Sequence, residues 1–269
     1  MHTYIPTLGR AHLSTPTVSR LPERIREQTS LVVQAHEAEA YTPVAQKYGT
    51  ELLVLPEDVK RIVETRLYIG NHAVRSGHDK IVMLDDDIEF YIRADQASQD
   101  DKLWWKLTAP NEPDLEDLWE DVDADLDTFA HVGISGREGN NRVRDAWVEN
   151  TRYMRFLAYR TDQYMACEHN RVTVMEDFDI ALQMLRAGHP NKVYYMYAQG
   201  QAKTQSAGGC SVWRTHEVHN AGAERLAELH PGFVTVRQKQ NKTDREGFGT
   251  RKEVTVYWKK AFASSQGGE

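Results

Sequence analysis

The stretch Lys80-Ile81-Val82-Met83-Leu84-Asp85-Asp86-Asp87-Ile88-Glu89-Phe90 constrains the fold more than any other part of the chain. Five residues, four of them apolar, run directly into three consecutive carboxylates, and apolar residues resume at once. So short an apolar run, bounded by polar residues, predicts a strand buried on both faces of a parallel sheet. The carboxylates then stand at its carboxyl end, where open α/β sheets bind their ligands. Like charges that close repel and raise one another's pKa unless a cation joins them. Hard oxygen donors at a sheet edge suit Mg²⁺ or Mn²⁺, usually together with substrate phosphates. A solvated acidic turn is the plainer reading of Asp-Asp-Asp, but its place directly after a buried strand favours the metal.

A chain of 269 residues accommodates one large α/β domain or two small ones. With 40% apolar and 27% charged residues it reads as an ordinary soluble globular protein. No apolar stretch approaches the roughly 20 residues needed to span a bilayer, so no membrane partner is expected. The chain enters Tyr4-Ile5-Pro6 without a basic region followed by an apolar one, so no signal peptide is read. Two cysteines, Cys167 and Cys210, are too few for a disulfide framework and fit a reducing, cytoplasmic compartment. The net charge of −7 by itself weighs against a nucleic-acid partner. Its distribution is uneven, however. Twelve acids and only Lys102 and Lys106 fall between Asp95 and Asp127, whereas six arginines face three acids between Arg137 and Arg160. The segment Arg237–Lys260 carries eight bases against three acids. Such asymmetry permits a polyanion on one face, although a solvated mixed surface is the commoner cause.

Strand and helix alternate along the first third. Residues 2–6, 30–34 and 51–55 read as strands, the last stopped by Pro56. A helix begins at Asp58 with Val59, Ile62, Val63, Leu67, Gly70 and Val74 on its buried face, and Gly77 ends it before the acidic strand. This alternation means a parallel sheet with helices packed on it. The acidic stretch 95–127 interrupts the pattern; Trp104, Trp105, Leu115, Leu118 and Trp119 anchor it as a short helical insertion. Strands follow at 129–134 and at 153–159, the second alternating as if one face were polar. Residues 172–175 lead into Glu176-Asp177-Phe178-Asp179 and a helix stopped by Gly188 and Pro190. A strand at 192–197, a helix around 221–229 and a strand at 253–258 close the chain. No repeat or linker stands out, so one domain is expected over 1–269. Its parts are a nucleotide-binding half (about 1–93), an acidic insertion (94–128), and an acceptor half with a basic tail (129–269).

Four constellations carry chemistry. In a nucleotide-sugar enzyme Asp87 would ligate the metal bridging the diphosphate, while Asp85 would reach the ribose or the metal shell; the ion neutralises charge on the leaving diphosphate. Carboxylates at the start of a helix are first of all caps and dipole partners, worth about 1 kcal/mol. That role accounts for one of the carboxylates in 176–179 but not for all three, which leaves Asp177 or Glu176 as general base toward an acceptor hydroxyl. His216 or His219 could complete a metal site, although a surface or structural role is the commoner one for a histidine. Gly208-Gly209 suggests a loop that closes over bound donor. Arg10 and Arg66 are phosphate-binding candidates, Arg66 on an otherwise apolar helical face, unless each pairs with a surface acid.

The ordered set Tyr4–Arg10, Glu37–Tyr41, Leu52–Pro56, Arg66, Met83–Arg93, Val174–Gly188, Gly208–Cys210 with Arg214, and Leu226–Val234 resembles GT-A glycosyltransferases. More narrowly it resembles the phage TET-associated glycosyltransferases. The resemblance implies an α/β class of fold: a Rossmann-like GT-A domain with a mixed, mostly parallel central sheet flanked by helices. It implies a UDP-sugar donor bound by Pro6, Thr7, Gly9, Arg10, Glu37, Arg66, Asp85, Asp86, Gly208, Gly209 and Arg214. A divalent metal, Mn²⁺ or Mg²⁺, falls at Asp85 and Asp87 with His216 or His219 as a further ligand, and a base near Asp177. The family's acceptor is hydroxymethylated cytosine in double-stranded DNA, modified in the host cytoplasm. Arg137, Asn141, Arg142, Arg144 and Arg155 are the residues compatible with gripping a duplex backbone. A saccharide or small-molecule acceptor stays open, as do a sugar nucleotidyltransferase and a non-catalytic DNA-binding module. The loop Thr7-Leu8-Gly9-Arg10 is a poor phosphate loop for the second of these, and the acidic sheet edge speaks against the third.

Overall fold

A computed structural model describes residues 1–13, 16–93, 107–137, 145–201, 215–240 and 250–267. The first strands are β1 (His2–Pro6), β2 (Thr29–Val33), β3 (Glu51–Val54), β4 (Lys80–Leu84), β5 (Ile88–Arg93) and β6 (Leu107–Thr108). They are followed by β7 (His131–Gly136), β8 (Trp147–Glu149), β9 (Phe156–Arg160), β10 (Asn191–Gln201), β11 (Val234–Gln240) and β12 (Thr250–Val256). The helices are α1 (Pro16–Arg20), α2 (Glu23–Arg26), α3 (Ala38–Tyr48), α4 (Ile62–Ser76) and α5 (Glu112–Asp125). Those of the second half are α6 (Thr161–Met165), α7 (Glu176–Arg186), α8 (His216–Leu229) and α9 (Trp258–Ala263).

Ten strands make one mixed sheet in the order β3-β2-β1-β4-β9-β7-β10-β5-β6, with β8 beside β10. The strands β3, β2, β1 and β4 run parallel, and β7 runs parallel to β10. The pairings of β4 with β9, β9 with β7, β10 with β5 and β8, and β5 with β6 are antiparallel. The expected mixed sheet is therefore present, with its continuous parallel part confined to the first four strands. A separate two-stranded sheet pairs β11 with β12.

Strand pleating sorts the core into two layers. Ile5, Leu31, Val33, Val82 and Leu84 point to one face, where α3 and α5 supply Tyr41, Leu115, Leu118 and Trp119. Tyr4, Val32, Ile81 and Met83 point to the other, against Ile69 and Ala73 of α4 and Ile180 and Met184 of α7. β4 is thus buried on both faces, as its composition predicts. A third cluster joins Phe178, Leu182 and Leu185 of α7 to Leu226 of α8, Val234 of β11 and Ala261 of α9. Among the described residues no helix is long and apolar enough to cross a membrane.

Two local expectations are corrected. The buried stripe of α4 is Val63, Arg66, Ile69, Gly70 and Ala73, so Val74 is 57% exposed and Arg66 lies within the stripe. Gly70 sets this rotation: a Cβ there would stand 2.5 Å from Met165 Sδ, so α4 comes down on α6 with its smallest residues. β9 has no polar face, because it is sandwiched between β4 and β7 in the middle of the sheet. Helix α5 is the expected insertion helix; Trp104 and Trp105 lie outside the described residues.

Candidate active site

The carboxyl ends of β1 and β4 lie side by side, and the loops leaving them hold each other in place. The Arg10 N–H donates to the Tyr41 hydroxyl (3.0 Å), and the Thr7 hydroxyl donates to Asp86 Oδ2 (2.6 Å). With the Thr7 proton committed, the 2.8 Å contact between Tyr41 and Thr7 has Tyr41 as donor. A chain of three hydrogen bonds thus runs from the β1 loop backbone to the middle aspartate. Gly9, at φ +71°, takes a turn that a side chain would resist, and its N–H donates to Glu37 Oε1 at 2.8 Å. Behind the acidic loop Thr17 of α1 accepts from Ile88 N–H (2.8 Å) and donates to the Asp85 carbonyl (2.7 Å). Its own N–H donates to the Asp86 carbonyl at 3.2 Å.

The three aspartates separate into different roles. Asp86 is buried, pairs with the Arg10 guanidinium, and has its carboxyl pushed up by burial to about 6 against the pull of Arg10 and Thr7. Arg10 also reaches Asp87 Oδ2 at 3.2 Å. Arg10 is therefore occupied by carboxylates within the fold, which differs from the phosphate contact expected of it. Asp87 is held on its other oxygen by the Gln201 side-chain amide of β10 at 3.0 Å. The side chain of Asp85 is 30% exposed and accepts from Arg66 at 3.1 Å.

Arg66 ties this loop to α7. Its guanidinium, 9% exposed, donates to Asp85 and to Glu176, the first residue of α7. Burial disfavours that cation, but Glu176 and then Asp85 more than offset it and hold its pKa above the ordinary value. Met175 precedes the helix at φ +66°, and no side chain caps the first turn, so the carboxylates there do not act as a cap. Asp179 turns into the core, where Arg171 (2.5 Å) and His230 (2.7 Å) hold it. Asp177 remains partly exposed. Burial raises its carboxyl above the usual range; Arg66 and Arg152 oppose the rise and Asp85 adds to it. Asp85 is raised in the same way, by burial first, with Arg66 opposing and Asp87 reinforcing. Neighbouring carboxylates held above their usual pKa gain most from a nearby cation.

The donor set fits a hard dication in part. Asp85 and Asp87 offer carboxylate oxygens, and Mg²⁺-type sites often use only one or two protein carboxylates plus substrate phosphates. Among the described residues no group of three or more His, Cys, Asp and Glu side chains is arranged to hold a metal. His219 faces the ribbon instead, with Nε2 at 3.0 Å from the Lys252 carbonyl, and His216 opens the same helix.

Residues 1–209 match the family described as TET-Associated Glycosyltransferase. The chain belongs to that family. Two curated relatives, each named beta-glucosyl-HMC-alpha-glucosyl-transferase, come from Enterobacteria phages T2 and T6. Each is 25% identical over 211 residues, which is 75% of this chain and 72% of the relative. Among solved structures, S. aureus TarS 1-349 in complex with UDP aligns with a TM-score of 0.45 at 12% identity. It covers 84% of this chain and 66%, just under two thirds, of that one. A putative nucleotide-diphospho-sugar transferase from Desulfovibrio desulfuricans G20 aligns at 0.42 and 11% identity, over 76% and 84% of the two chains.

In this glycosyltransferase the expected residues Pro6, Thr7, Gly9, Arg10, Asp85, Asp86, Asp87, Glu176 and Asp177 lie at the ends of β1 and β4 and the start of α7, and Glu37 after β2 and Arg66 of α4 bond to those segments. Arg155 is near them: its carbonyl accepts the Asp85 N–H (3.0 Å) and its side chain donates to Gln199 (3.0 Å). Arg137 stacks over Tyr91 at 4.5 Å to the centroid and donates to its hydroxyl. Asn141, Arg142, Arg144, Gly208, Gly209 and Arg214 lie outside the described residues. Sequence reasoning missed Tyr41, Thr17, Gln199, Gln201 and Arg152. A signal existed for the glutamines: Gln199-Gly200-Gln201 is a polar alternation directly after an apolar strand.

Proposed function

We propose that this glycosyltransferase moves a sugar from a UDP-sugar to a hydroxyl on hydroxymethylated cytosine in duplex DNA. The reading is carried by Asp85 and Asp87 just past the carboxyl end of β4 and Asp177 in the first turn of α7, which Arg66 ties to that loop through Asp85 and Glu176. Asp85 and Asp87 would hold a Mn²⁺ or Mg²⁺ ion, which when bound neutralises charge on the diphosphate leaving group. Asp177 accepts the proton of the acceptor hydroxyl; its raised pKa brings it nearer to working pH, where a general base is most effective. Glu176 and Arg66 hold the start of α7, and with it Asp177, at a fixed place beside the acidic loop. The Gly9–Glu37 hydrogen bond holds the β1 loop beside them. Family membership supports the donor class, and the phage relatives' names support the acceptor. Those names also favour a second acceptor, the sugar of an already glucosylated base.

The test is mass spectrometry of three duplexes, unmodified, hydroxymethylated and glucosylated, incubated with UDP-glucose or other UDP-sugars and Mn²⁺. One hexose added per modified base supports the reading, and the duplex that gains it identifies the acceptor. Asp87→Ala should abolish transfer, and Asp177→Asn should lower it by about 10²- to 10⁴-fold while UDP binding persists. No hexose on any duplex would overturn the proposal.

A further inference from the structure

The family match ends at residue 209, and the structure beyond it adds a ribbon of two antiparallel strands fastened to α7. The cross-strand register pairs Val234 with Val256 and Val236 with Val254, and the first of these pairs packs with Phe178, Leu182 and Leu226. Pleating sends alternate residues to the opposite side. There Thr235 lies across from Thr255, Arg237 from Glu253, and Lys239 from Arg251. Arg237 and Lys239 are exposed. Among the described residues three cations share this face with one carboxylate, Glu253, which pairs with both Lys239 (3.2 Å) and Arg251.

The ribbon that carries this face is fastened beside the reaction centre. Arg152 sits 4.9 Å above the ring of Phe178, the residue after Asp177. It is also within electrostatic reach of both Asp177 and Glu253. The ring of Phe178 in turn packs edge-on against Trp258, the first residue of α9 and two residues past the ribbon's second strand, at 5.3 Å between centroids. An antiparallel pair of strands fits the major groove of B-DNA, about 12 Å wide, and a substituent at the cytosine 5-position points into that groove.

We infer that the outer face of the β11–β12 ribbon is a docking surface for duplex DNA, placing the acceptor base beside Asp177. The inference rests on the reading of DNA as acceptor. It adds a second, basic wall to the acceptor side, built by residues that the family match does not cover.

The test uses the full chain and a hydroxymethylcytosine duplex, with affinity read by fluorescence anisotropy across a salt titration. The double variant Arg237→Glu/Lys239→Glu should bind at least about tenfold more weakly. Its log–log salt slope should be shallower by roughly 2, since each phosphate contact contributes about 0.9. Its hydrolysis of UDP-sugar without DNA and its unfolding midpoint should match the parent. Glu253→Gln, which removes the one carboxylate from the face, should bind about threefold more tightly on the same electrostatic grounds. Unchanged affinity and slope in the double variant, or no tightening in Glu253→Gln, would overturn the ribbon as docking surface while transfer to modified DNA continued. A parent protein that binds no duplex at any salt would overturn both the docking surface and the DNA acceptor.

Discussion

A guanidinium buried between two carboxylates cannot exchange either for water, so Arg66 is the residue whose loss the site tolerates least. Arg66→Ala removes the cation that Asp85 and Glu176 share. Removing one partner of a buried pair costs about 3 kcal/mol or more, and denaturant unfolding should show a loss of that size. The sequence marked Arg66 as odd because a charge stood among apolar helical positions, yet it could not say which acids it meets. Those acids are 19 and 110 residues away along the chain. The same distance hid the partner of Arg10. The carboxylates were easier to read, because three adjacent aspartates after an apolar run need no long-range knowledge to attract notice. What adjacency concealed was their separation into roles: Asp86 turns inward to Arg10 and Thr7, while Asp85 keeps a partly open side chain.

At the level of elements, close approach of backbones sets positions that periodicity alone does not. Helix α8 rests on the segment before α7 through Gly222, where a Cβ would lie 2.3 Å from Val174 Cγ2. Gly222→Ala should therefore push α8 and the ribbon away from α7. Overpacking of this kind costs about 1–3 kcal/mol, measurable as a lower thermal midpoint. The strands β1 to β4 were legible within a residue at each end, since short apolar runs bounded by polar residues mark them, whereas α4 begins at Ile62, four residues after the expected Asp58. β11 was not, because Val234 and Val236 are its only apolar residues and the remaining five are polar. The buried face of α4 was read one position off for a related reason. A stripe of Gly70, Ala73 and a paired Arg66 carries less hydrophobic signal than Leu67 and Val74 beside it.

Stability against acid is a property of the whole molecule, and His131 contributes to it from the middle of the sheet. Its ring is fully buried, 2.7 Å from the Tyr153 hydroxyl and 3.2 Å from the His189 carbonyl, and burial holds its pKa down to about 3. The unfolded chain binds this proton below about 6.5 and the folded one does not, so stability is complete above pH 6.5 and falls as pH drops toward 3. The slope is about 1.4 kcal/mol per pH unit for each such group. His131→Asn, which keeps an acceptor for Tyr153, should flatten the acid limb of a stability–pH curve by one proton. Strand β10 runs through the same region, pairing with β7, β5 and β8. Between Tyr194 and Ala198 it spends three residues where β7 spends none, stepping only from Ile134 to Ser135. An odd insertion inverts parity. Counting by twos from Tyr194 would give Ala198 the same face, yet their partners Ile134 and Ser135 are neighbours and point to opposite faces, so the detour decides on which side Gln199 and Gln201 stand and hence that Gln201 meets Asp87.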